Sequence, residues 1–166
     1  MMNKAIFLDR DGVLNHEIYD YITRLEDFEV LEYQIPPLKR FFDEGYLLVV
    51  ITNQGGIALN RYTEETLAEM HKILFRKFEE QGAEIIHAYY CPHHPTVSGD
   101  CECRKPKSGM LLEAIATYNI DPAMSVMIGD KPRDVDAANG AGVKGILIAP
   151  DEQIDYEKVK AVLAGE

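Results

Sequence analysis

AIFLDRDG, residues 5–12, is the stretch that decides the fold. Its first four residues are apolar without a break, and two aspartates and a glycine follow at once. Unbroken apolar runs of this kind are typical of parallel strands that are buried on both faces of a sheet. Because Gly12 lets the chain turn sharply, we predict a buried strand that delivers two carboxylates, Asp9 and Asp11, at its carboxyl end.

Four further apolar runs alternate with amphipathic stretches along the chain. The runs are residues 46–51, 84–90, 125–128 and 145–148, and the helical stretches are 37–44, 63–82, 108–118, 134–141 and 155–163. Thr63 and Ser108 are suited to cap the helices that they precede, and Leu111 and Leu112 are among the apolar positions of the helix behind Ser108. Strand and helix in alternation predict an α/β fold, a doubly wound and mostly parallel sheet with helices on both faces.

Length and charge limit the domain count and the partners. The 166 residues suit one hydrophobic core, so a single domain over residues 1–166 is expected, and the segment between the first two strands is too short for an inserted cap domain. The formal net charge of −11 argues against a nucleic-acid partner, because sequence-independent binding needs a basic surface. No run approaches the roughly 20 apolar residues of a membrane span. We therefore expect a monomer whose partner is a small molecule, not a membrane or a nucleic acid.

All three cysteines of the chain crowd into residues 91–104, which we predict to be a zinc-binding loop. We expect a cytoplasmic, reducing compartment, where clustered cysteines indicate a metal more often than a disulfide. Three cysteines and one histidine are the usual ligands of a closed structural zinc site. His94 is the alternative to His93 as the histidine ligand. The predicted set is Cys91, His93, Cys101 and Cys103.

Polar residues follow four of the predicted strands, and ligands of doubly wound sheets bind beyond the carboxyl ends of the strands. The turn TNQGG, residues 52–56, offers a hydroxyl, two amides and backbone N–H groups that can hold phosphate oxygens. Asp9 and Asp130 each end a strand, and carboxylate oxygens suit Mg²⁺. This edge of the sheet is therefore the predicted site.

Basic residues concentrate in RKPK, residues 104–107, the densest basic cluster of this acidic chain. Arginine and lysine side chains are the expected binders of phosphate. Asp134 is expected to cap the helix that follows it or to orient Lys131. His71 lies on an apolar helix face, and we assign it no role.

The motifs DRDG, TNQ, RKP and GDK resemble those of the haloacid dehalogenase-like (HAD) phosphatases, in the same order along the chain. Within that family, the segments CPHHP and CECRKPKSGM are similar to the heptose-bisphosphate phosphatase branch and also to the histidinol-phosphate phosphatase branch. The resemblance implies a Mg²⁺-dependent, cap-free hydrolase of lipopolysaccharide biosynthesis. It would remove the 7-phosphate of a heptose 1,7-bisphosphate through an aspartyl-phosphate, with histidinol phosphate as the alternative substrate.

Roles carry over from the resemblance residue by residue. Asp9 matches the nucleophile and Asp11 the general acid and base, while Thr52 and Lys105 match the groups that neutralise the transferring phosphoryl oxygens. The implied Mg²⁺ ligands are Asp9, the backbone carbonyl of Asp11, and Asp130. The predicted substrate contacts are Arg104, Asn53, Gln54, Lys131, Glu17 and Tyr21.

Two other classes of protein compete with this interpretation. A polynucleotide 3′-phosphatase uses the same chemistry, but the net charge of −11 disfavours it. The second is a zinc-stabilised binding module whose aspartates hold a regulatory ion and catalyse nothing.

Overall fold

Five strands form one sheet in the computed structural model, which describes all of residues 1–166. In chain order they are β1 (Ala5–Leu8), β2 (Leu47–Asn53), β3 (Ile85–Cys91), β4 (Val126–Gly129) and β5 (Lys144–Leu147). The spatial order is β3-β2-β1-β4-β5, and all neighbouring strands run parallel. The decisive stretch thus forms the central strand of the sheet, and the predicted α/β fold is confirmed.

Six α-helices connect and cover the strands. They are α1 (Ile35–Asp43), α2 (Glu64–Glu80), α3 (Pro95–Ser98), α4 (Gly109–Tyr118), α5 (Pro132–Gly140) and α6 (Tyr156–Leu163), with 3₁₀ turns at Leu25–Asp27, Glu32–Gln34 and Pro122–Met124. Only α1 and two of these 3₁₀ turns lie between β1 and β2, so no cap domain is inserted there. None of the helices is both long and apolar enough to cross a membrane.

Alternation along β1 divides the core into two layers, because successive side chains of a strand point to opposite faces. Ile6 and Leu8 pack with apolar residues of α1, α2 and α6, whereas Ala5 and Phe7 pack with those of α4 and α5. All four side chains of the strand are fully buried. The helices therefore cover both faces of the sheet and leave its carboxyl edge for the polar residues.

Of the two helix caps predicted from the sequence, one is confirmed and one is not. Thr63 caps α2 as predicted, since its Oγ1 accepts a hydrogen bond from the backbone N–H of Thr66 at 3.1 Å. The prediction that Ser108 caps α4 is wrong: its Oγ instead donates to the carbonyl of Ala137 at 2.7 Å. Ser108 is drawn there because α5 lies beside the start of α4, so its hydroxyl connects two helices.

Two apolar positions are less buried than the sequence pattern predicts. Leu112 is 51 % exposed on the outer face of α4, while Leu111 faces the core. Leu147 is 55 % exposed because β5 is an edge strand with no neighbour on one side. An unbroken apolar run thus indicates a strand here, but it does not by itself give burial on both faces.

The adjacent leucines of α4 provide a matched test of this packing. Leu111→Ala should lower the free energy of unfolding by about 2–5 kcal/mol, the usual cost of truncating a buried leucine. Leu112→Ala should change it by less than about 0.5 kcal/mol, as expected of an exposed side chain. Urea unfolding of both variants measures the difference, and equal losses would contradict the described orientation of α4.

Candidate active site

The carboxyl ends of three adjacent strands bring together the first group of predicted catalytic residues. Asp9 follows β1, Thr52 is the residue before the last of β2, and Asp130 follows β4. Their exposed fractions are 6 %, 1 % and 7 %. Buried polar side chains of this kind need partners, and all three lie at the predicted edge of the sheet.

Lys105 reaches into this group from the loop between β3 and α4. Its Nζ lies 2.9 Å from Oδ1 of Asp9 and 2.6 Å from Oδ1 of Asp134, and it donates to the carbonyl of Ile51 at 2.8 Å. Burial would lower the pKa of Lys105, but the two carboxylates outweigh burial and raise it. The ammonium therefore stays charged beside Asp9, where it can also neutralise a phosphoryl oxygen.

Asn53 holds the backbone of Lys105 in place. The side-chain oxygen of Asn53 accepts a hydrogen bond from the Lys105 N–H at 2.9 Å, and its Nδ2 donates to the Lys105 carbonyl at 3.1 Å. This paired contact joins residues that are 52 positions apart. The amide that the sequence suggests as a substrate contact is thus engaged by the loop that carries the lysine.

Asp11 is held by three donors. Oδ1 accepts from Arg10 NH2 at 2.9 Å and from Asn15 Nδ2 at 3.0 Å, and Oδ2 accepts from Gln54 Nε2 at 3.1 Å. Burial would raise the pKa of Asp11, yet the guanidinium of Arg10 and the hydrogen bonds from Asn15 and Gln54 hold it below its usual range. Asp11 is therefore a fixed carboxylate in the free protein.

Arg10 is a buried site residue that sequence reasoning missed. It is 1 % exposed, its Nε donates to Oδ1 of Asn15 at 3.0 Å, and its guanidinium lies 5.1 Å from the centre of the Phe28 ring. His71, to which we assigned no role, lies 3.5 Å from Arg10 NH1, and burial together with Arg10 lowers its pKa to about 3. The available signal was the position of Arg10, a cation between two aspartates directly after a buried run.

A carboxylate cluster lies next to Asp9. One oxygen from each of Asp9, Asp130 and Asp134 lies within 4.8 Å of the others. Oδ1 of Asp130 is buried and has no hydrogen-bond partner, and a Cβ built on Gly12 (φ +84°) would lie 2.2 Å from Oδ2 of Asp130. Gly12 is therefore required for the close approach of this carboxylate, and the unpartnered oxygen suits a divalent cation.

Asp134 and Lys131 complete the edge of the cluster. Oδ2 of Asp134 accepts from the Lys131 N–H at 3.0 Å, so Asp134 supports the start of α5 while its other oxygen contacts Lys105. Nζ of Lys131 lies 3.0 Å from Oδ2 of Asp130 and 3.8 Å from Oε2 of Glu17. Burial and the neighbouring Asp9 raise the pKa of Asp130 to about 6.

The predicted zinc ligands converge in the loop after β3. The Cys101 sulfur lies 3.7 Å from the sulfurs of Cys91 and Cys103, which are 2.7 Å from each other. Nδ1 of His93 lies 3.4 Å from the Cys91 sulfur and 3.2 Å from the Cys103 sulfur. His94 is not in the cluster, because its Nδ1 accepts from the Thr96 N–H at 3.3 Å at the start of α3. The structure thus brings together the set that contains His93.

The predicted substrate contacts other than Lys131 are divided between two cavities. A cavity of about 320 Å³ beside Asp11 is lined by Glu17, Tyr21, Gln54 and Arg133, among others. Arg104 lies outside it: NH1 donates to the His93 carbonyl at 3.1 Å, and Arg104 lines a neighbouring cavity of about 230 Å³ together with Lys107. Arg133 is a cation of the larger cavity that sequence reasoning did not single out.

Comparison with known proteins agrees with this geometry. Residues 102–157 match a HAD-hydrolase-like family model. The D-glycero-beta-D-manno-heptose-1,7-bisphosphate 7-phosphatase of Haemophilus influenzae is 45 % identical over 161 residues, which cover 94 % of this chain and 87 % of that protein. This chain belongs to the HAD-like phosphatases. The enzyme of the same name from Haemophilus ducreyi is 44 % identical, covering 96 % of this HAD-like phosphatase and 91 % of the relative.

A solved structure extends the comparison of this HAD-like phosphatase to three dimensions. The D,D-heptose 1,7-bisphosphate phosphatase of B. bronchiseptica, in complex with magnesium and phosphate, superposes with a TM-score of 0.83 at 29 % identity. The match covers 97 % of this chain and 87 % of that protein. The fold described above is therefore that of a HAD-like phosphatase throughout.

Burial of Asp130, together with repulsion from Asp9, has a measurable consequence for the metal-free protein. Because Asp130 has a raised pKa of about 6, its ionisation destabilises the fold, and this loss grows as the pH rises from about 4 to 6. Asp130→Asn should therefore have a higher Tm than the unsubstituted protein in EDTA at pH 8, with the difference vanishing towards pH 4. Thermal unfolding across this range measures it, and a lower Tm of the variant at pH 8 would contradict the expectation.

Proposed function

We propose that this chain is a Mg²⁺-dependent phosphatase that removes the 7-phosphate of D-glycero-D-manno-heptose 1,7-bisphosphate in the cytoplasm. The observation that carries the proposal is the buried contact of Asp9 with Lys105. Asp9 lies two residues along the chain from Asp11, which lines an open cavity. Relatives that share 36–45 % of their residues with this chain are named for this activity. The cap-free cavity suits a small sugar phosphate.

In the first step, an oxygen of Asp9 attacks the phosphorus atom in line with the leaving sugar oxygen. The phosphorus–sugar oxygen bond breaks as the bond to Asp9 forms, and the proton of Asp11 passes to the sugar oxygen. Arg10 favours the carboxylate of Asp11 in the free protein, but a phosphate dianion nearby favours the protonated form because like charges repel. Substrate binding thus prepares Asp11 to act as the acid.

In the second step, Asp11 acts as the base. It accepts a proton from water while the water oxygen attacks phosphorus, and the bond to Asp9 breaks to release inorganic phosphate and the Asp9 carboxylate. Asp11 regains the proton that it gave up, so the protein returns to its starting state. Lys105 and the Thr52 hydroxyl are placed to stabilise the charge on the phosphoryl oxygens in both steps.

Asp9, Asp130 and the backbone carbonyl of Asp11 would hold Mg²⁺. The unpartnered oxygen of Asp130 fits this assignment, as does the preference of Mg²⁺ for one or two carboxylates together with water and phosphate. When bound, the ion neutralises charge on the phosphate and on the carboxylates around it. Lys131 remains beside Asp130 as a further cation at the substrate.

The substrate divides between the two cavities in this proposal. Glu17 and Tyr21 line the larger cavity and offer a carboxylate and a hydroxyl to the sugar. Arg104 and Lys107 line the smaller one and supply positive charge for the second phosphate. Asn53 contributes indirectly, through its paired contact with Lys105.

A structural zinc ion in the loop after β3 is the second part of the proposal. Ligands of a tetrahedral zinc with Zn–S bonds of about 2.3 Å lie nearly 4 Å apart, which agrees with the 3.7 Å separations of the Cys101 sulfur from the other two. The sulfurs of Cys91 and Cys103, 2.7 Å apart, would have to separate by about 1 Å to bind the ion. Cys91, His93, Cys101 and Cys103 would hold the ion. Because Arg104 binds the carbonyl of His93, the same loop positions a proposed substrate contact.

A substrate panel tests the activity. Phosphate release should be fastest from heptose 1,7-bisphosphate, supplied as both anomers, and slower from histidinol phosphate. Asp9→Asn should reduce it to background because the nucleophile is lost, while Asp43→Asn, a change at an exposed residue paired with Lys39, should leave it unchanged. A preference for histidinol phosphate would overturn the substrate, and turnover by Asp9→Asn would overturn the nucleophile.

Neighbouring histidines test the zinc site. Metal analysis after gentle purification should find about one zinc per chain. His93→Ala should lose most of this zinc because a ligand is removed, whereas His94→Ala should retain it because His94 caps α3. Zinc loss in His94→Ala alone, or no zinc in the unsubstituted protein, would disprove the assignment.

A further inference from the structure

Gln54 lies between two of the catalytic residues, and its side-chain amide is fully occupied. It is 4 % exposed. Its Nε2 donates to Oδ2 of Asp11 at 3.1 Å and to Oγ1 of Thr52 at 2.9 Å. Its Oε1 accepts a hydrogen bond from the hydroxyl of Tyr62. Both N–H groups of the amide are therefore used within the protein, and neither is free for a substrate.

Tyr62 determines which way this amide faces. Tyr62 is 8 % exposed, and burial raises the pKa of its hydroxyl, so the group keeps its proton and donates to Oε1 of Gln54. The amide nitrogen is thereby directed at Asp11 and Thr52. A Cβ on Gly56 would lie 2.4 Å from Cε1 of the Tyr62 ring, so the glycine in the turn after Gln54 leaves the space that the ring fills.

The contact with Thr52 has a directional consequence. Because Oγ1 of Thr52 accepts a hydrogen from Gln54, its own hydrogen points elsewhere. The alternative acceptor, the carbonyl of Asn53, is 3.4 Å away, which is long for an O–H···O bond. The hydroxyl of Thr52 is thus prepared to donate to a phosphoryl oxygen.

The contact with Asp11 fixes the other catalytic group. Arg10 and Asn15 bind only Oδ1 of Asp11, so Gln54 is the donor that holds Oδ2. Without it, the carboxyl group could rotate about its bond to Cβ. A general acid must lie within hydrogen-bond reach of the atom that it protonates, so a loose carboxyl group would transfer its proton less efficiently.

We propose that Gln54, oriented by Tyr62, is a positioning residue that aligns Asp11 for proton transfer and Thr52 for phosphoryl binding. This proposal rests on the proposed phosphatase activity and replaces a direct substrate contact for Gln54. Tyr62 does not contact Asp11, Thr52 or the substrate in this proposal, and acts only by orienting the amide of Gln54. The chain of contacts is Tyr62 to Gln54, and from there to Asp11 and Thr52.

Leaving-group dependence tests the proposal. A sugar phosphate needs a proton on its leaving oxygen, whereas 4-nitrophenyl phosphate releases a stable phenolate without one. General acid catalysis contributes about 10²–10⁴-fold, so in single-turnover experiments Gln54→Leu should slow the sugar phosphate at least about tenfold more than the aryl phosphate. Tyr62→Phe, which keeps the ring, should show the same selective loss to a smaller extent. KM should stay close to that of the unsubstituted enzyme.

Tyr90→Phe is the matched control. It removes a hydroxyl that bonds only Glu64, at 2.7 Å, away from Asp11, and it should leave both rates unchanged. Tm values of all variants establish that they are folded, and Tyr62→Phe carries the test should Gln54→Leu not fold. Equal losses on both substrates, a raised KM with kcat unchanged, or no loss at all would overturn the positioning role.

The choice of alkyl probe separates this proposal from the substrate assignment. Heptose 1,7-bisphosphate is used first, and glycerol phosphate replaces it if the panel shows no turnover of the heptose. A selective loss with glycerol phosphate would then support the positioning role although the substrate assignment had failed. If neither heptose 1,7-bisphosphate nor glycerol phosphate shows the selective loss, the positioning role is overturned. The proposed phosphatase activity is not affected by that outcome.

Discussion

The contact of the buried Lys105 ammonium with its carboxylates is the interaction on which the rest of the site depends. The ammonium lies between Asp9 and Asp134 and also donates to the end of β2. Three buried carboxylates could not share one strand edge without cations, because desolvated like charges repel strongly. Lys105 makes their proximity possible, and the paired contact with Asn53 keeps its backbone where the ammonium is needed. The loop between β3 and α4 delivers this lysine to the site from outside the sheet.

The fold was predictable because its signals are local. The run before Asp9 is apolar without interruption, and in an acidic chain such a run indicates a strand buried on both faces. Thr63 was predictable as a cap for the same reason, since a cap contacts residues only three positions away. Leu112 and Leu147 were not, because their exposure depends on which elements lie next to α4 and β5. Periodicity shows that a residue can be buried but not whether a neighbour covers it.

The residues of the candidate site were largely predictable, whereas the hydrogen bonds between them were less so. The carboxylates at the strand ends and the convergence of the cysteines with His93 follow from spacing and from the parallel sheet. The partners of Asn53 and Gln54 could not be predicted from the sequence. Asn53 pairs with the backbone of Lys105, about fifty residues away, and Gln54 with the side chain of Asp11, about forty residues away. Arg10 was overlooked for a different reason. A lone arginine in a turn is ordinarily solvated, and only the structure shows that Phe28, Asn15 and His71 enclose it.

The order of the strands also has a consequence for synthesis of the chain. β1 is made first, yet it is flanked by β2 and by β4, which begins only at Val126. While the ribosome is still producing the intervening segment, one side of β1 presents unpaired N–H and C=O groups along a fully apolar strand. Exposed apolar edges of this kind invite pairing with other chains. The segment most responsible for the finished fold is therefore the one that a nascent chain must shield longest.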